Sequence, residues 1–288
     1  SHLGYEALAV TDECSLAGVV RAHVQTLGLS HSSNEERRGK SLDLIIGSEF
    51  VVRDVYGAPL KLVCLAKNRE GYGQLSALIT KARRVAKKGA YQLSVDDVVG
   101  ADYLPECLLL LVPWPTQNNS VLGRQAAWLK VHTDARAWIA AELFHDGDDQ
   151  EWLGRLRALG DSSGLRLVAT GNVHMHVRSR RALQDVLSAV RLKCPVEQAG
   201  FALFPNGERH LRSRQALAVL YPQELLEETL AIASQCTFSL NELRYEYPEE
   251  IIPSEYTPKT YLRHITYQGM SDRWPEGAPK GVREMAEH

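Results

Sequence analysis

The sequence predicts an α/β protein whose core is a mostly parallel sheet, or a barrel with an outer ring of helices. Short apolar runs alternate with stretches of helical spacing from the start of the chain as far as Leu192. A chain of 288 residues is long enough for one large domain of this class. In such folds ligands bind at the carboxyl ends of the strands. We therefore expect the functional residues to follow the apolar runs.

Strands are predicted where apolar runs are bounded by polar or turn-forming residues. These runs cover residues 5–10, 42–50, 60–66, 107–112, 137–143 and 165–169. Helices are predicted between them, where apolar residues recur at helical spacing, at residues 16–27, 68–88, 118–130, 148–164 and from residue 179 onward. The fourth helix ends on Gly164, and glycine is the residue type that most often terminates a helix.

The pattern changes after Leu192. Residues 194–212 contain scattered proline and glycine, and two helices are predicted at 213–220 and 223–236. An extended, proline-bearing stretch follows at 245–258, and a further helix is predicted at 261–273. We expect a domain boundary near residue 245, and we expect the chain to be part of a longer polypeptide.

Composition argues against several functional classes. The net charge is -2 and charged residues make up 24% of the chain, so no overall basic field indicates a nucleic-acid binder. No apolar run is long enough to cross a bilayer and the N-terminus lacks a signal-like core, which predicts a cytoplasmic protein without membrane contact. The five cysteines are odd in number and widely spaced, so we expect reduced thiols in the core.

Four predicted strand ends carry polar clusters that a barrel would bring to one face. They are Asp12 with Glu13, Glu49, Glu142 with His145 and Asp146, and Asn172 with His174 and His176. Carboxylates and imidazoles that converge in this way suit divalent ions, which would hold a phosphate ester and activate a water molecule. The alternative is that one histidine of the pair bonds backbone and the other is solvated, because two histidines without a third ligand are a weak motif.

Five segments occur in the order and spacing of one protein family. They are GYEALAVTDECSLAGVVRAH, IIGSEF, VCLAKNREGYGQLSALITKAR, LVATGNVHMHVRSRRALQDVLSAVR and YPQELLEETLAIASQCTFSLNELRYEYPEE. The chain resembles the bacterial replicative polymerase alpha-subunit family (polymerase III, C family), and within it the error-prone, damage-inducible branch. The resemblance implies an N-terminal polymerase-and-histidinol-phosphatase (PHP) domain, which is a PHP-type seven-stranded (β/α) barrel followed by a small helical segment.

The resemblance also implies a domain order. Residues 1–192 would be the barrel, with the family's first strand and His-x-His motif lying before Ser1. Residues 193–245 would be a helical extension that completes the PHP region, and residues 246–288 would be a linker and the start of the polymerase body. The palm, which would hold two magnesium ions for nucleotidyl transfer, would lie outside the chain. The complete protein would be a translesion DNA polymerase with DNA, other lesion-bypass proteins and the sliding clamp as partners.

Two of the family's metal ligands are replaced in this chain. Residues 11–13 read Thr-Asp-Glu where metal-binding members have Thr-Asp-His, and Asn172 occupies a position that is an aspartate in many members. Glu49 matches the family's bridging carboxylate, and His174 matches the histidine of its last motif. The resemblance therefore implies a degenerate site for zinc or manganese, centred on Glu49 and His174, with three hydrogen-bonded neighbours: Asp12, Glu13 and Asn172.

The sequence leaves three functions open. The first is a non-catalytic scaffold for the polymerase body. The second is a metal-dependent phosphoesterase or 3′–5′ proofreading exonuclease, which needs a full ligand set. The third is a protein-binding module that uses the polar loop at 30–41 and the basic helix end formed by Arg83, Arg84, Lys87 and Lys88. For each of the three functions, the sequence places three arginines beside the site, which are Arg178, Arg180 and Arg181. They would contact DNA phosphates or form ion pairs with the acidic residues at the strand ends.

Overall fold

The computed structural model describes residues 3–30, 42–99, 104–133, 136–243 and 252–287, and within these ranges it contains one six-stranded sheet. The strands are β1 (Ala7–Val10), β2 (Asp43–Arg53), β3 (Pro59–Ala66), β4 (Cys107–Leu111), β5 (Ala137–Glu142) and β6 (Arg166–Thr170). They lie side by side in chain order, so β1 and β6 form the two edges. The α/β class is therefore confirmed, whereas a seven-stranded barrel is not confirmed by the six strands of the described ranges.

The direction of the third strand differs from the expected parallel run. The pairs β1–β2, β4–β5 and β5–β6 are parallel, but β3 is antiparallel to both β2 and β4. A parallel connection needs a long crossover, and only a short turn separates β2 from β3. In that turn Asp54 Oδ1 accepts hydrogen bonds of 2.9 Å from the backbone N–H groups of Tyr56 and Ala58, and Gly57 has a φ of 80°. The turn therefore reverses the chain and brings the first residues of β3 beside the last residues of β2.

Helices connect most of the remaining strands, as the sequence predicts. The structure contains α1 (Val19–Ser30), α2 (Arg69–Arg84), α3 (Val95–Val99), α4 (Asn119–Thr133), α5 (Asp149–Ser163), α6 (Arg181–Leu192), α7 (Arg214–Leu220) and α8 (Gln223–Ala233). The side chain of Asn68 accepts a 2.9 Å hydrogen bond from the backbone of Gly71 and caps α2. Gly164 follows α5 with a φ of 69°, a conformation that glycine adopts without strain.

The two faces of the sheet are covered by different helices. One face packs against α2, α4 and α5, where side chains of alternate strand residues such as Phe50, Leu62 and Ile139 are buried. The other face packs against α8, and its buried residues include Ile45, Leu65, Leu110, Trp138, Val168 and Ile232. Since side chains alternate along a strand, Glu49, Lys61 and Glu142 belong to this α8 face. One end of the α8 face is therefore apolar and the other end is polar.

The chain divides into two compact units, Ser1–Leu243 and Arg244–His288. In the second unit the described elements are α9 (Pro258–Arg273), which is capped by Thr257, and α10 (Lys280–Glu287). Residues 31–41 of the predicted polar loop and residues 245–251 of the predicted linker lie outside the described ranges. Among the described helices, none is long and apolar enough to span a membrane.

Candidate functional site

The polar end of the α8 face centres on an ion pair between neighbouring strands. Lys61 Nζ lies 2.8 Å from Glu49 Oε2, and the two side chains are 10% and 20% exposed. The register pairs Glu49 with Val63 and Lys61 with Val51, so the two charged residues are diagonal neighbours on one face of the antiparallel pair. The reversal of β3 is therefore what brings Lys61 to the expected site.

A second charged group joins the cluster from the irregular segment after α6. Arg209 Nη1 lies 3.7 Å from Glu142 Oε2, at the end of β5. The guanidinium carbon of Arg209 lies 3.8 Å from the centre of the Phe144 ring and 4.4 Å from the centre of the Phe204 ring. Aromatic faces attract a cation at such distances, so the two rings fix the guanidinium beside Glu142.

Asn172 connects this acidic residue to the histidine that the sequence singled out. Asn172 Nδ2 donates a 3.3 Å hydrogen bond to Glu142 Oε2, and Asn172 Oδ1 lies 3.0 Å from His174 Nε2. Asn172 has a φ of 40°, in the left-handed region that asparagine tolerates better than most residues. The side-chain amide of Asn172 therefore forms hydrogen bonds with the carboxylate of Glu142 and the imidazole of His174 at the same time.

The environment of His174 favours its neutral form. Although His174 keeps an exposed edge, desolvation of its ring, assisted by the positive charges of Arg209, Lys61 and Arg191, lowers the pKa of His174 to about 4. Its ring packs against Phe204 with 4.9 Å between ring centres, and its backbone N–H donates to the carbonyl of Arg209 at 2.9 Å. Because Asn172 Oδ1 can only accept, His174 Nε2 carries the proton of this hydrogen bond.

Glu49 lies where several charges meet. Burial raises the pKa of Glu49, the nearby ammonium of Lys61 lowers it, and the negative charges of Glu142 and Glu13 raise it. The pKa of Glu49 is therefore raised overall. Three carboxylates are therefore close enough to repel one another, and the cations in the cluster oppose that repulsion.

Asp12 and Glu13 hold backbone and neighbouring side chains in place. Asp12 Oδ2 accepts a 3.1 Å hydrogen bond from the backbone of Gly18, just before α1, and the Asp12 carbonyl accepts one of 2.7 Å from Ser48 Oγ. Glu13 Oε1 accepts a 2.8 Å hydrogen bond from the hydroxyl of Tyr91. Both side chains are thus engaged in contacts that order the loop between β1 and α1.

The three arginines beside the site differ in their surroundings. Arg178 Nη2 lies 2.9 Å from Glu208 Oε1, and Arg181 Nε lies 3.4 Å from Asp185 Oδ2. Arg181 also donates a 2.8 Å hydrogen bond to the carbonyl of Phe204. Arg180 is exposed.

At the basic end of helix α2, Arg83 donates a 3.0 Å hydrogen bond to the carbonyl of Cys14, whereas Arg84, Lys87 and Lys88 are exposed.

The two cations of the cluster, Lys61 and Arg209, do not follow a strand end in the sequence, so they were not predicted at the site. Lys61 stands at the beginning of a strand, and only a hairpin signal in residues 54–58 would have shown that this beginning lies at the site. Arg209 lies in a segment without regular structure, and its position depends on backbone pairing between Met175 and His210. Local sequence carries no signal for that long-range pairing.

The residues of the cluster do not fit a metal ion. The ammonium group of Lys61 occupies the space beside Glu49, and the guanidinium of Arg209 faces Glu142. The imidazole of His174 is hydrogen-bonded to the amide of Asn172. In the described ranges no three residues among His, Cys, Asp and Glu are grouped so that they could hold a metal ion. The described cluster is therefore a network of internal ion pairs and hydrogen bonds.

The chain is similar to one family of domains and to one group of curated proteins. Residues 1–142 match the PHP domain family. Proteins named error-prone DNA polymerase are similar to nearly all of the chain, with 53% identity over 288 residues in Dechloromonas aromatica, 50% over 290 residues in Methylococcus capsulatus and 46% over 287 residues in Pseudomonas aeruginosa. These alignments cover 99% to 100% of this chain and 26% of each relative, so the chain spans about a quarter of the length of the curated relatives it matches. Nearly the whole chain is therefore similar to a part of proteins named error-prone DNA polymerase, and residues 1–142 match the PHP domain family.

Proposed function

We propose that this chain is the N-terminal PHP region of an error-prone, translesion DNA polymerase and that it acts as a scaffold for the polymerase body. The complete polypeptide is a DNA-directed DNA polymerase of the cytoplasm, with nucleotidyl transfer at a magnesium-binding palm outside this chain. Its partners are DNA, the sliding clamp and other lesion-bypass proteins. The names of the relatives and the share of their length that the chain spans support this proposal.

An exposed apolar stripe on α6 carries the scaffold proposal. Its members recur at the spacing of one helix face, with exposures of 50%, 46%, 56% and 68% for Leu183, Val186, Leu187 and Val190. Contiguous apolar surface of this kind marks an interaction site in a folded protein. Since the relatives are about four times as long as the matched region, we assign the polymerase body of the same polypeptide as the partner of this stripe.

The proposal includes the domain order that the family resemblance implies. Residues 1–192 form the PHP-like part, and residues 193–245 complete it with helices. Residues 246–288 link it to the polymerase body and begin that body. Arg178 and Arg180 are both exposed, and Arg178 also pairs with Glu208, so a phosphate contact from this segment would come from Arg178, Arg180 and, less readily, the half-buried Arg181.

Substitution of the α6 stripe tests the scaffold function. In the isolated chain, Leu183→Gln with Leu187→Gln should change the free energy of unfolding by less than about 0.5 kcal/mol, because both side chains are exposed. In the complete polypeptide the same change should lower the melting temperature and the rate of primer extension. Val131→Gln on α4, where Val131 is 78% exposed, is the matched control and should alter neither. A complete polypeptide that tolerates the α6 change would contradict the scaffold function.

One observation favours the alternative of a metal-dependent phosphoesterase or 3′–5′ proofreading exonuclease. The carboxylates of Glu13, Glu49 and Glu142 are close enough for their charges to interact, and in a metal-assisted hydrolase a divalent ion would take the place that Lys61 and Arg209 have beside two of them here. That function requires stoichiometric zinc or manganese in the purified protein and loss of nuclease activity in a His174→Ala variant.

A further inference from the structure

We propose that Lys61 and Arg209 are built-in counter-cations, and that their side chains take the place of divalent ions at the polar end of the α8 face. The inference rests on the proposed function, in which this site is not metal-dependent. It adds the reason why the acidic cluster remains stable, since buried carboxylates need a compensating charge.

Lys61 lies where its ammonium group can neutralise the carboxylate of Glu49. Its ammonium group lies 2.8 Å from Glu49 Oε2, and only 10% of its side chain is exposed to water. The stem of Lys61 runs along the same sheet face as Val63 and Leu65, which pack in the apolar cluster under α8. A lysine is rarely buried unless its charge is paired, so the pairing with Glu49 accounts for its location.

Arg209 supplies the second charge from a different part of the chain. Its guanidinium is held between Phe144 and Phe204 and faces Glu142, and the two charged side chains are 17% and 15% exposed. Arg209 Nη1 is buried and has no hydrogen-bond partner among the described residues. The guanidinium therefore acts here mainly through its charge, as an ion would, and less through directed hydrogen bonds.

These two pairs differ from the ordinary surface ion pairs of the same chain. The Arg157–Glu224 pair has side chains that are 51% and 62% exposed, and pairs of that kind contribute little to stability. The pairs at the polar end are several times less exposed. Removal of one partner there leaves an uncompensated charge away from water, which is strongly destabilising.

Removal of both cations should leave the carboxylates of the cluster without their partners. Glu49 and Glu142 would then have no compensating charge beside them, and a divalent cation such as manganese could supply it, because carboxylates are suitable ligands for manganese. We therefore expect the Lys61→Met/Arg209→Met variant to gain binding of a divalent cation that the natural chain lacks. Methionine retains much of the length and the apolar stem of each side chain while it removes the charge.

The experiment uses the full 288-residue chain and measures manganese binding by equilibrium dialysis and thermal unfolding. In a chelating buffer the double variant should melt on the order of 5 °C below the natural chain, and added manganese should recover most of that difference. The natural chain should show no metal-dependent shift. Lys67→Met is the control, because it removes the 3.0 Å Lys67–Glu106 pair outside the cluster and should create no response to manganese.

Two results would overturn the inference, and they can be told apart from failure of the proposed function. A double variant that responds to manganese no more than the natural chain contradicts the counter-cation role alone. Stoichiometric manganese in the natural chain contradicts both the inference and the scaffold function.

A second comparison applies if the double variant does not fold. Lys61→Met is then measured in the natural chain and in a chain that already carries Glu49→Gln. A loss of melting temperature that is equal in both backgrounds overturns the inference. A clearly smaller loss in the Glu49→Gln background supports it, because the carboxylate that Lys61 neutralises is then absent.

Discussion

The hydroxyl of Tyr221 donates a 2.7 Å hydrogen bond to the backbone carbonyl of Thr170, at the end of β6. The same hydroxyl accepts a 3.0 Å hydrogen bond from the backbone N–H of Leu143, directly after β5. Tyr221 is only 3% exposed. One side chain thus ties together the ends of the two strands that lead into Glu142 and Asn172.

Tyr221→Phe should therefore destabilise the chain by about 1–3 kcal/mol, because the N–H of Leu143 and the carbonyl of Thr170 lose a buried partner. Chemical denaturation with the midpoint and slope fitted separately measures this change. Tyr56→Phe removes a hydroxyl from a residue that is 73% exposed, and it should leave the free energy of unfolding nearly unchanged. Equal effects of the two substitutions would argue against the role assigned to Tyr221.

Two glycines of α2 should respond to alanine in opposite directions. A Cβ atom at Gly71 would collide with the backbone carbonyl of Glu106, whereas a Cβ at Gly73 would meet no atom within 4 Å. Gly71→Ala should destabilise by about 1–3 kcal/mol through overpacking, and Gly73→Ala should stabilise by up to about 1 kcal/mol through helix propensity. Thermal unfolding of the two variants provides the measurement. Each serves as the control for the other, and stabilisation by both would refute the close approach of α2 to Glu106.

The chain should become less stable as the pH falls from about 6.5 to about 4. His174 has a pKa lowered to about 4 in the folded state, so the unfolded chain binds a proton in this interval that the folded chain does not. Stability is fully present above the unfolded pKa and decreases as the pH falls toward the folded one. Urea unfolding at about pH 7 and about pH 5 measures the difference.

His174→Asn should reduce this pH dependence, because the variant has no imidazole to protonate. His176→Asn, two residues further along and likewise at an exposed position, should leave the dependence as it is. Glu49 acts in the opposite sense, since its raised pKa makes acid favour the folded state. The difference between variant and natural chain therefore isolates His174, and identical pH profiles for both histidine variants would contradict the prediction.

The sequence predicted the elements that depend on local pattern. The strand predicted at 60–66 corresponds to β3, the helix predicted from residue 68 corresponds to α2, and Gly164 ends α5 where its backbone freedom is needed. The antiparallel direction of β3 was not predicted. It depends on the short turn at Asp54, whereas the alternation of strands and helices in the rest of the sequence favoured a parallel sheet. Glu142 and His174 were predicted at one site, but Arg209 reaches it through contacts between segments that are distant in the chain.

Because β3 runs antiparallel to β2, we expect Lys61 to make its contact earlier in folding than Arg209. Lys61 and Glu49 lie on the two arms of one hairpin, so their contact closes a short loop, and contacts of that kind form rapidly. Arg209 and Glu142 are separated in the chain by α5, β6 and α6, so their contact closes a much longer loop at a greater entropic cost. We therefore expect substitutions at Lys61 to slow refolding and substitutions at Arg209 to act mainly by accelerating unfolding.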